Sequence, residues 1–291
     1  MRLECFTGSA RTKNIQKYPL SQVETIQGHN QKAIRARESV MFGKRISLFK
    51  LLGFEVRLDY SWVIIALLIA WSLSSSFFPL RFKGLSTVTY WVMGVAGTVA
   101  LFLSIIFHEL SHSFVARKYG IPIKGITLFL FGGVAEMSDE PPSPKAEFMM
   151  AVAGPAASVA LGLGLRFLFG LGRQWLWPNA LNGVIAYVSL INFLLAGFNL
   201  MPGFPLDGGR ILRALLWGAK KDLRWATRIS SIVGICFGAL LIIFGFYNVF
   251  KGDFVSGMWW FLIGMFLQSA ARASYQQVLS RQEPKSSTLN M

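Results

Sequence analysis

"SIIFHELSHSFVARKYG" (Ser104–Gly120) places two histidines and a glutamate at the end of an apolar run. The preceding stretch, Gly84–Phe107, carries no charge, and about 20 apolar residues cross a bilayer as a helix. An ionised group near the bilayer centre costs roughly 2.5–3.5 kcal/mol even on a lenient scale. A chain of 291 residues with 3 histidines that puts two of them there points to chemistry inside a membrane.

Working outward, Ser61–Phe78, Phe148–Leu165, Gln174–Leu206, Ile229–Phe250 and Phe254–Ala271 are also free of charge. With Gly84–Phe107 they predict six transmembrane helices in an all-α membrane bundle. The composition agrees: 53% of residues are hydrophobic and 15% charged, against about 25% charged in a soluble domain. A net charge of +15 would suggest nucleic acid in a soluble protein. Here the basic residues flank apolar runs, as they do around membrane helices, so no nucleic-acid partner is expected.

The basic residues also give an orientation. The segment up to Arg57 holds 11 Lys/Arg against 4 Glu. "GRILRALLWGAKKDLRWATR" after the fourth span is basic, as is the tail with Arg272, Arg281 and Lys285. The opposite loops hold only Arg81 and Lys83, then Arg173, then Lys251. Both termini and the loops after spans two and four are therefore expected in the cytoplasm, with a bacterial inner membrane as the expected location. Residues 1–42 read as a polar basic tail, 43–275 as the helical domain and 276–291 as a polar tail. No leader-type apolar segment stands apart near the N-terminus, so a cleaved leader is not expected. Cys5 and Cys236 lie in segments of opposite polarity and predict neither a disulfide nor a thiolate site. His29, alone in the polar tail, is assigned no role.

His108, Glu109 and His112 form HExxH. Positions i and i+4 share one helix face, so both imidazoles can bind one zinc ion, and Glu109 can hold a water and accept its proton. Zinc lowers the pKa of such a water to about 7. The bland alternative is a histidine pair satisfied by neighbouring helices, with Glu109 snorkelling towards the membrane surface. Catalytic zinc takes three protein ligands and keeps one open position. Glu136, Asp139 and Glu140 lie in the Pro-rich "AEMSDEPPSP", which reads as surface. Asp207 lies in "NLMPGFPLDGGRILRALL" and returns to the His112 side by an even helix count. Pro202 and Pro205 make the backbone there irregular, which at membrane depth must be buried in protein or line a wet cavity. Taken alone, Asp207 is equally an N-cap of the next helix.

HELSH in one membrane helix, with Asn199, Pro202, Pro205, Leu206, Asp207, Gly208, Gly209 and Arg210 in a later one, resembles the site-2 protease family. These are intramembrane zinc metalloproteases, peptidase family M50. The resemblance spans Gly43–Tyr275. It implies one Zn2+ per chain on His108, His112 and Asp207, and Glu109 as the catalytic base. It also implies Asn199 facing the scissile peptide and Asn192 as a second polar position. "FGGVAEM" (Phe131–Met137) after "GITLFLF" reads as strands around a tight turn. In the family a membrane-associated β-hairpin between helices two and three lies beside the active site. Gly132 and Gly133 are expected there, at a strand edge that can take up an unwound substrate segment. A hairpin merely covering the bundle is the alternative. "AGPAASVALG" (Ala153–Gly162) resembles the family's Gly-Pro motif, with Ser158 where the family often has Asn. The loops are expected to be too short for a PDZ domain, and paired CBS domains are not expected within residues 276–291, either because this branch lacks them or because the chain is truncated.

The expected function is that of a metalloendopeptidase. It would cut transmembrane segments of membrane proteins near their cytoplasmic ends, with the substrate and the bilayer as partners. One alternative is an HExxH protease of another family with Glu136 or Glu140 as third ligand. Another is a non-hydrolytic metal carrier, which has no need of Glu109.

Overall fold

The computed structural model describes residues 45–51, 54–121, 123–129, 132–137 and 140–282. The expected N-terminal tail, with Cys5 and His29, lies outside the described residues, as do residues 283–291, Phe131 and Asp139. The side-chain surroundings of Gly132, Gly133 and Glu136 lie outside them too. The candidate site lies within the compact unit Ser47–Met291.

Two strands, β1 (Arg45–Leu51) and β2 (Phe54–Asp59), precede α1 (Tyr60–Ser72). A wide helical turn over Leu73–Phe77 joins α1 to the short α2 (Phe78–Arg81). Next come α3 (Thr87–Lys118), β3 (Ile123–Phe129), β4 (Gly132–Met137), α4 (Pro144–Gln174) and α5 (Asn179–Asn199). The chain ends in α6 (Asp207–Lys220), α7 (Leu223–Phe250) and α8 (Phe254–Gln282). The strands form one sheet in the order β1-β2-β3-β4, with β2 parallel to β3 and β3 antiparallel to β4. The β2–β3 pairing was not expected from the sequence. The alternation in "FEVRLD" was masked by the apolar span that follows it.

Five helices among the described residues are long and apolar enough to cross a membrane: Trp62–Arg81, Thr87–Lys118, Pro144–Gln174, Asn179–Asn199 and Leu223–Phe250. The sixth expected stretch, Phe254–Ala271, falls within α8, which runs on to Gln282, past residue 276 where the tail was expected to begin. Charge-free length misjudged the helix ends in both directions. α3 does not stop at Phe107 but continues through the HExxH sequence to Lys118. The fourth stretch is helical only over Asn179–Asn199, because the following Pro-rich segment breaks it.

Local signals set the ends. Ser86 caps α3 by accepting from the Thr89 amide at 3.1 Å, and Gly120 ends the helix region at φ +73°, where only glycine is unstrained. Ser143 caps α4 through the Ala146 amide at 3.2 Å, with Pro144 in the first turn. Asp222 caps α7 through the Trp225 amide at 3.0 Å.

The bundle is apolar outside and polar within. On α3, Val88, Val92, Val95, Val99 and Leu103 face outward, while Ser104, His108 and His112 are buried. Asn182, Ser189 and Asn192 of α5 and Ser158 of α4 are buried too. That distribution suits lipid as the surrounding medium. One apolar core (Leu73, Phe78, Met93, Tyr187, Val188) joins α1–α3 to α5. A second (Ala116, Ile121, Met150) seals the other end of α3 against α4. α7 and α8 approach through glycine. A Cβ on Gly238 would lie 2.7 Å from the Gly264 carbonyl oxygen, and one on Gly245 2.7 Å from that of Gly257. Small residues allow such backbone approach in lipid.

Candidate metal centre

His108 and His112 lie one turn apart on the same face of α3. Their Nε2 atoms are 3.1 Å apart, and their ring centroids are 4.8 Å apart. Asp207 Oδ2 lies 3.0 Å from His108 Nε2 and 3.1 Å from His112 Nε2. All three residues are buried. Among the described residues this is the group of side chains that converges as a metal site does.

The far side of each ring is anchored. His112 Nδ1 donates to the Met150 carbonyl at 2.7 Å. A carbonyl only accepts, so the proton sits on Nδ1 and leaves the Nε2 lone pair facing Asp207 and His108. His108 Nδ1 pairs with Ser158 Oγ at 2.9 Å. Both anchors come from α4. An outer contact of this type fixes ring orientation and ligand basicity.

Asp207 reaches the rings because of how α6 begins. Leu206 holds the N-cap position, with no side-chain cap, and Asp207 is the first helical residue. The carboxylate is therefore not spent on capping α6. The two glycines behind it have steric reasons. A Cβ on Gly208 or Gly209 would run into the backbone of Leu200–Phe204, so "DGG" seats the start of α6 against the loop after α5. Glu109 is half-buried, with His112, His108, Asp207 and Arg210 all within electrostatic reach.

The donor set fits zinc. Two imidazole nitrogens and a carboxylate oxygen are ligands that catalytic zinc takes, with one position left open. The His112 Nε2 lone pair and the Asp207 oxygen 3.1 Å away repel unless a cation or a proton lies between them, and a metal ion bridging both histidines and the carboxylate meets that need. Space is kept beside them as well. A Cβ on Gly154 of α4 would come 2.6 Å from His112 Cε1 and 2.7 Å from His108 Nε2. Gly154→Ala raises intrinsic helix propensity by about 0.5–1 kcal/mol. It should nonetheless weaken zinc binding at least tenfold, because both rings are anchored behind and can yield only by breaking a bond to Met150 or Ser158. Chelator competition measures this, and unchanged affinity would refute the cradle.

The other expected residues behave differently. Glu140 pairs with Arg213 at 3.3 Å, not with the histidines. Asn192 is fully buried, and its Nδ2 donates to Ser104 Oγ at 2.9 Å and to the Val188 carbonyl at 2.8 Å. Its Oδ1 has no hydrogen-bond partner among the described residues. Ser104 is one turn before His108, so Asn192 ties α5 to the HExxH part of α3. Asn199 ends α5 and donates to its own helix, to the Leu195 carbonyl at 3.0 Å. Met150, Glu147 and Arg213 carried no signal in the sequence, since their roles depend on which helices meet, and Gly154 read only as part of the small-residue Gly-Pro motif. Ser158 carried a partial one, as a polar residue inside an apolar small-residue run.

Fold and site together define a helical integral membrane protein with a buried two-histidine, one-aspartate centre. The sequence matches the family model for Peptidase family M50 over residues 96–177 and 174–243. It is 37% identical to Rip3 of Mycobacterium tuberculosis over 237 residues, covering 81% of this chain and 60% of that protein. It is 34% identical to zinc metalloprotease MJ0392 of Methanocaldococcus jannaschii over 206 residues, covering 70% of this chain and 55% of that one. The solved site-2 protease from Methanocaldococcus jannaschii superposes with a TM-score of 0.56 at 31% identity, over 80% of this chain and 95% of that one. The chain belongs to peptidase family M50. It spans about 60% of the length of the curated relatives it matches.

Proposed function

We propose that this chain is an intramembrane zinc metalloprotease, a metalloendopeptidase that cleaves transmembrane segments of membrane proteins by adding water across a peptide bond. One observation carries the reading: His108, His112 and Asp207 converge inside a membrane-length helix bundle, with Glu109 next to the first histidine. In this reading the three residues hold one zinc ion. When bound, zinc supplies Lewis acidity and makes a neighbouring water acidic enough to deprotonate near neutral pH.

Glu109 accepts that proton and later returns it to the leaving amine. The Met150 carbonyl and Ser158 hold the imidazoles in register. Asn192 Oδ1, buried and without a hydrogen-bond partner among the described residues, offers an acceptor to a substrate amide. Asn199, at the mouth of the loop after α5, offers a second polar contact. β4, with Gly132 and Gly133 at its start, is an edge strand of the sheet. It is proposed as the place where an unwound substrate segment adds as a further strand.

The chain is proposed to cross the membrane six times, with α8 as the last crossing and β3–β4 as a membrane-associated hairpin. Both termini face the cytoplasm of a bacterial inner membrane. Residues 1–42 and 276–291 are proposed as polar tails around a catalytic domain, 43–275. A third ligand from Glu140 is disfavoured by its pairing with Arg213. A metal carrier is disfavoured because it leaves Glu109 beside the metal without a task.

A helical peptide bond is shielded, and breaking helix hydrogen bonds in lipid is costly. Residues that weaken the helix near the cut site should therefore speed cleavage, and a poly-leucine span should resist. Purified protein in bilayers, given matched substrates with and without a Gly-Pro pair, tests this. A chelator should abolish cleavage and zinc restore it. Cleavage indifferent to chelation would overturn the proposed function.

A further inference from the structure

A second cluster of buried charge lies beside the metal centre and has no role in the chemistry above. Glu147 of α4 is fully buried, and Arg213 of α6 is 6% exposed. Arg213 Nε donates to Glu147 Oε1. Its Nη2 donates to Glu140 Oε2 at 3.3 Å, and its guanidinium stands 5.1 Å from the centroid of Phe204. Glu147 Oε2 has no hydrogen-bond partner among the described residues. Desolvating two charges offsets much of their attraction, and apolar residues of similar volume often stabilise a fold better. A planar, forked guanidinium held against a carboxylate, however, dictates distance and angle.

The elements joined are those that must be held in register. Glu147 lies one turn before Met150, whose carbonyl takes the Nδ1–H of His112. Arg213 lies on the helix whose first residue is Asp207. Phe204, under the guanidinium, belongs to the loop that seats Gly209. One turn of α4 therefore orients a histidine and also grips the helix that carries the aspartate. We propose that Glu147 and Arg213 are positioning residues, a latch between α4 and α6 that sets Asp207 against the imidazoles and so sets the zinc affinity of the site. Glu140, whose side chain is 30% exposed, is a weaker outer arm. The latch rests on the metal-site reading given above.

The test uses the full chain purified in detergent, with zinc affinity read by chelator competition and metal-free unfolding temperature read separately. The variants are Arg213→Lys, Glu147→Gln, Glu140→Gln and the double Glu147→Met/Arg213→Met. The double variant leaves no fully buried charge behind, since Glu140, which loses its Arg213 partner, is 30% exposed, and it should keep the metal-free unfolding temperature. Its zinc affinity should fall about 10–100-fold, the range for lost outer-shell partners of metal ligands. Arg213→Lys should fall likewise, and Glu140→Gln should change little. An unchanged zinc affinity in the folded double variant overturns the latch, as does a loss in Glu140→Gln equal to the others. A double variant that cannot fold also overturns it, because the pair would then serve the fold and not the site. Wild-type protein that binds no zinc sinks the metal-site reading itself, and the latch with it.

Discussion

Glu109→Gln is expected to retain about one zinc per chain and to lose roughly 10²–10⁴-fold of its turnover, the contribution of a positioned general base. The converging donor atoms come from His108, His112 and Asp207, so removing the Glu109 charge leaves those donors and both ring anchors in place. What disappears is the group proposed to accept a proton beside the metal. Gln is nearly isosteric with Glu, so packing on α3 is kept. Metal analysis alongside cleavage of a transmembrane substrate checks both halves. A Glu109→Gln protein with full turnover would refute the mechanism, and one that loses its zinc would make Glu109 a ligand.

Asp207→Ala is expected to have the larger effect on the metal. It removes the charged oxygen of the triangle and leaves two neutral imidazoles. Metal affinity should fall by more than the roughly 10–100-fold typical of outer-shell losses. Activity should not return with excess zinc, because the remaining set has the wrong charge and geometry. Asp207→Glu should keep some metal yet remain crippled. The start of α6 is seated by Gly208 and Gly209 against the preceding loop and cannot retreat to absorb a methylene, while such sites need placement to about half an ångström. Titration of zinc into each purified variant, followed by a cleavage assay at saturation, separates weak binding from misplacement.

The ligand candidates were legible in the sequence because they rest on short-range rules. HExxH is an i, i+4 pattern on one helix, and the irregular segment before Asp207 is announced by Pro202 and Pro205. The apolar spans were legible for the same reason. Charge-free length still overran the fourth helix, because apolar composition says nothing about where Pro stops a helix. It underran the second, because the HExxH polar residues are buried and the helix carries them inward without ending. The choice between ligand and cap for Asp207 was not legible, since it depends on a carboxylate's direction across 95 residues of intervening chain. Gly154 read only as part of a small-residue motif. Its reason, space for two imidazoles, exists only once α4 lies against α3. The parallel pairing of β2 with β3 was hidden similarly, since the two segments are separated by two membrane helices.

The most direct measurement of the central claim is zinc content and cleavage activity in purified wild type and Asp207→Ser, side by side. Leu206 holds the N-cap position and Asp207 makes no side-chain cap bond, so the substitution should spare α6 and the metal-free fold. The account predicts about one zinc per wild-type chain, little or none in Asp207→Ser, and no cleavage by the variant at any zinc concentration. An Asp207→Ser protein that is zinc-replete and active would contradict it.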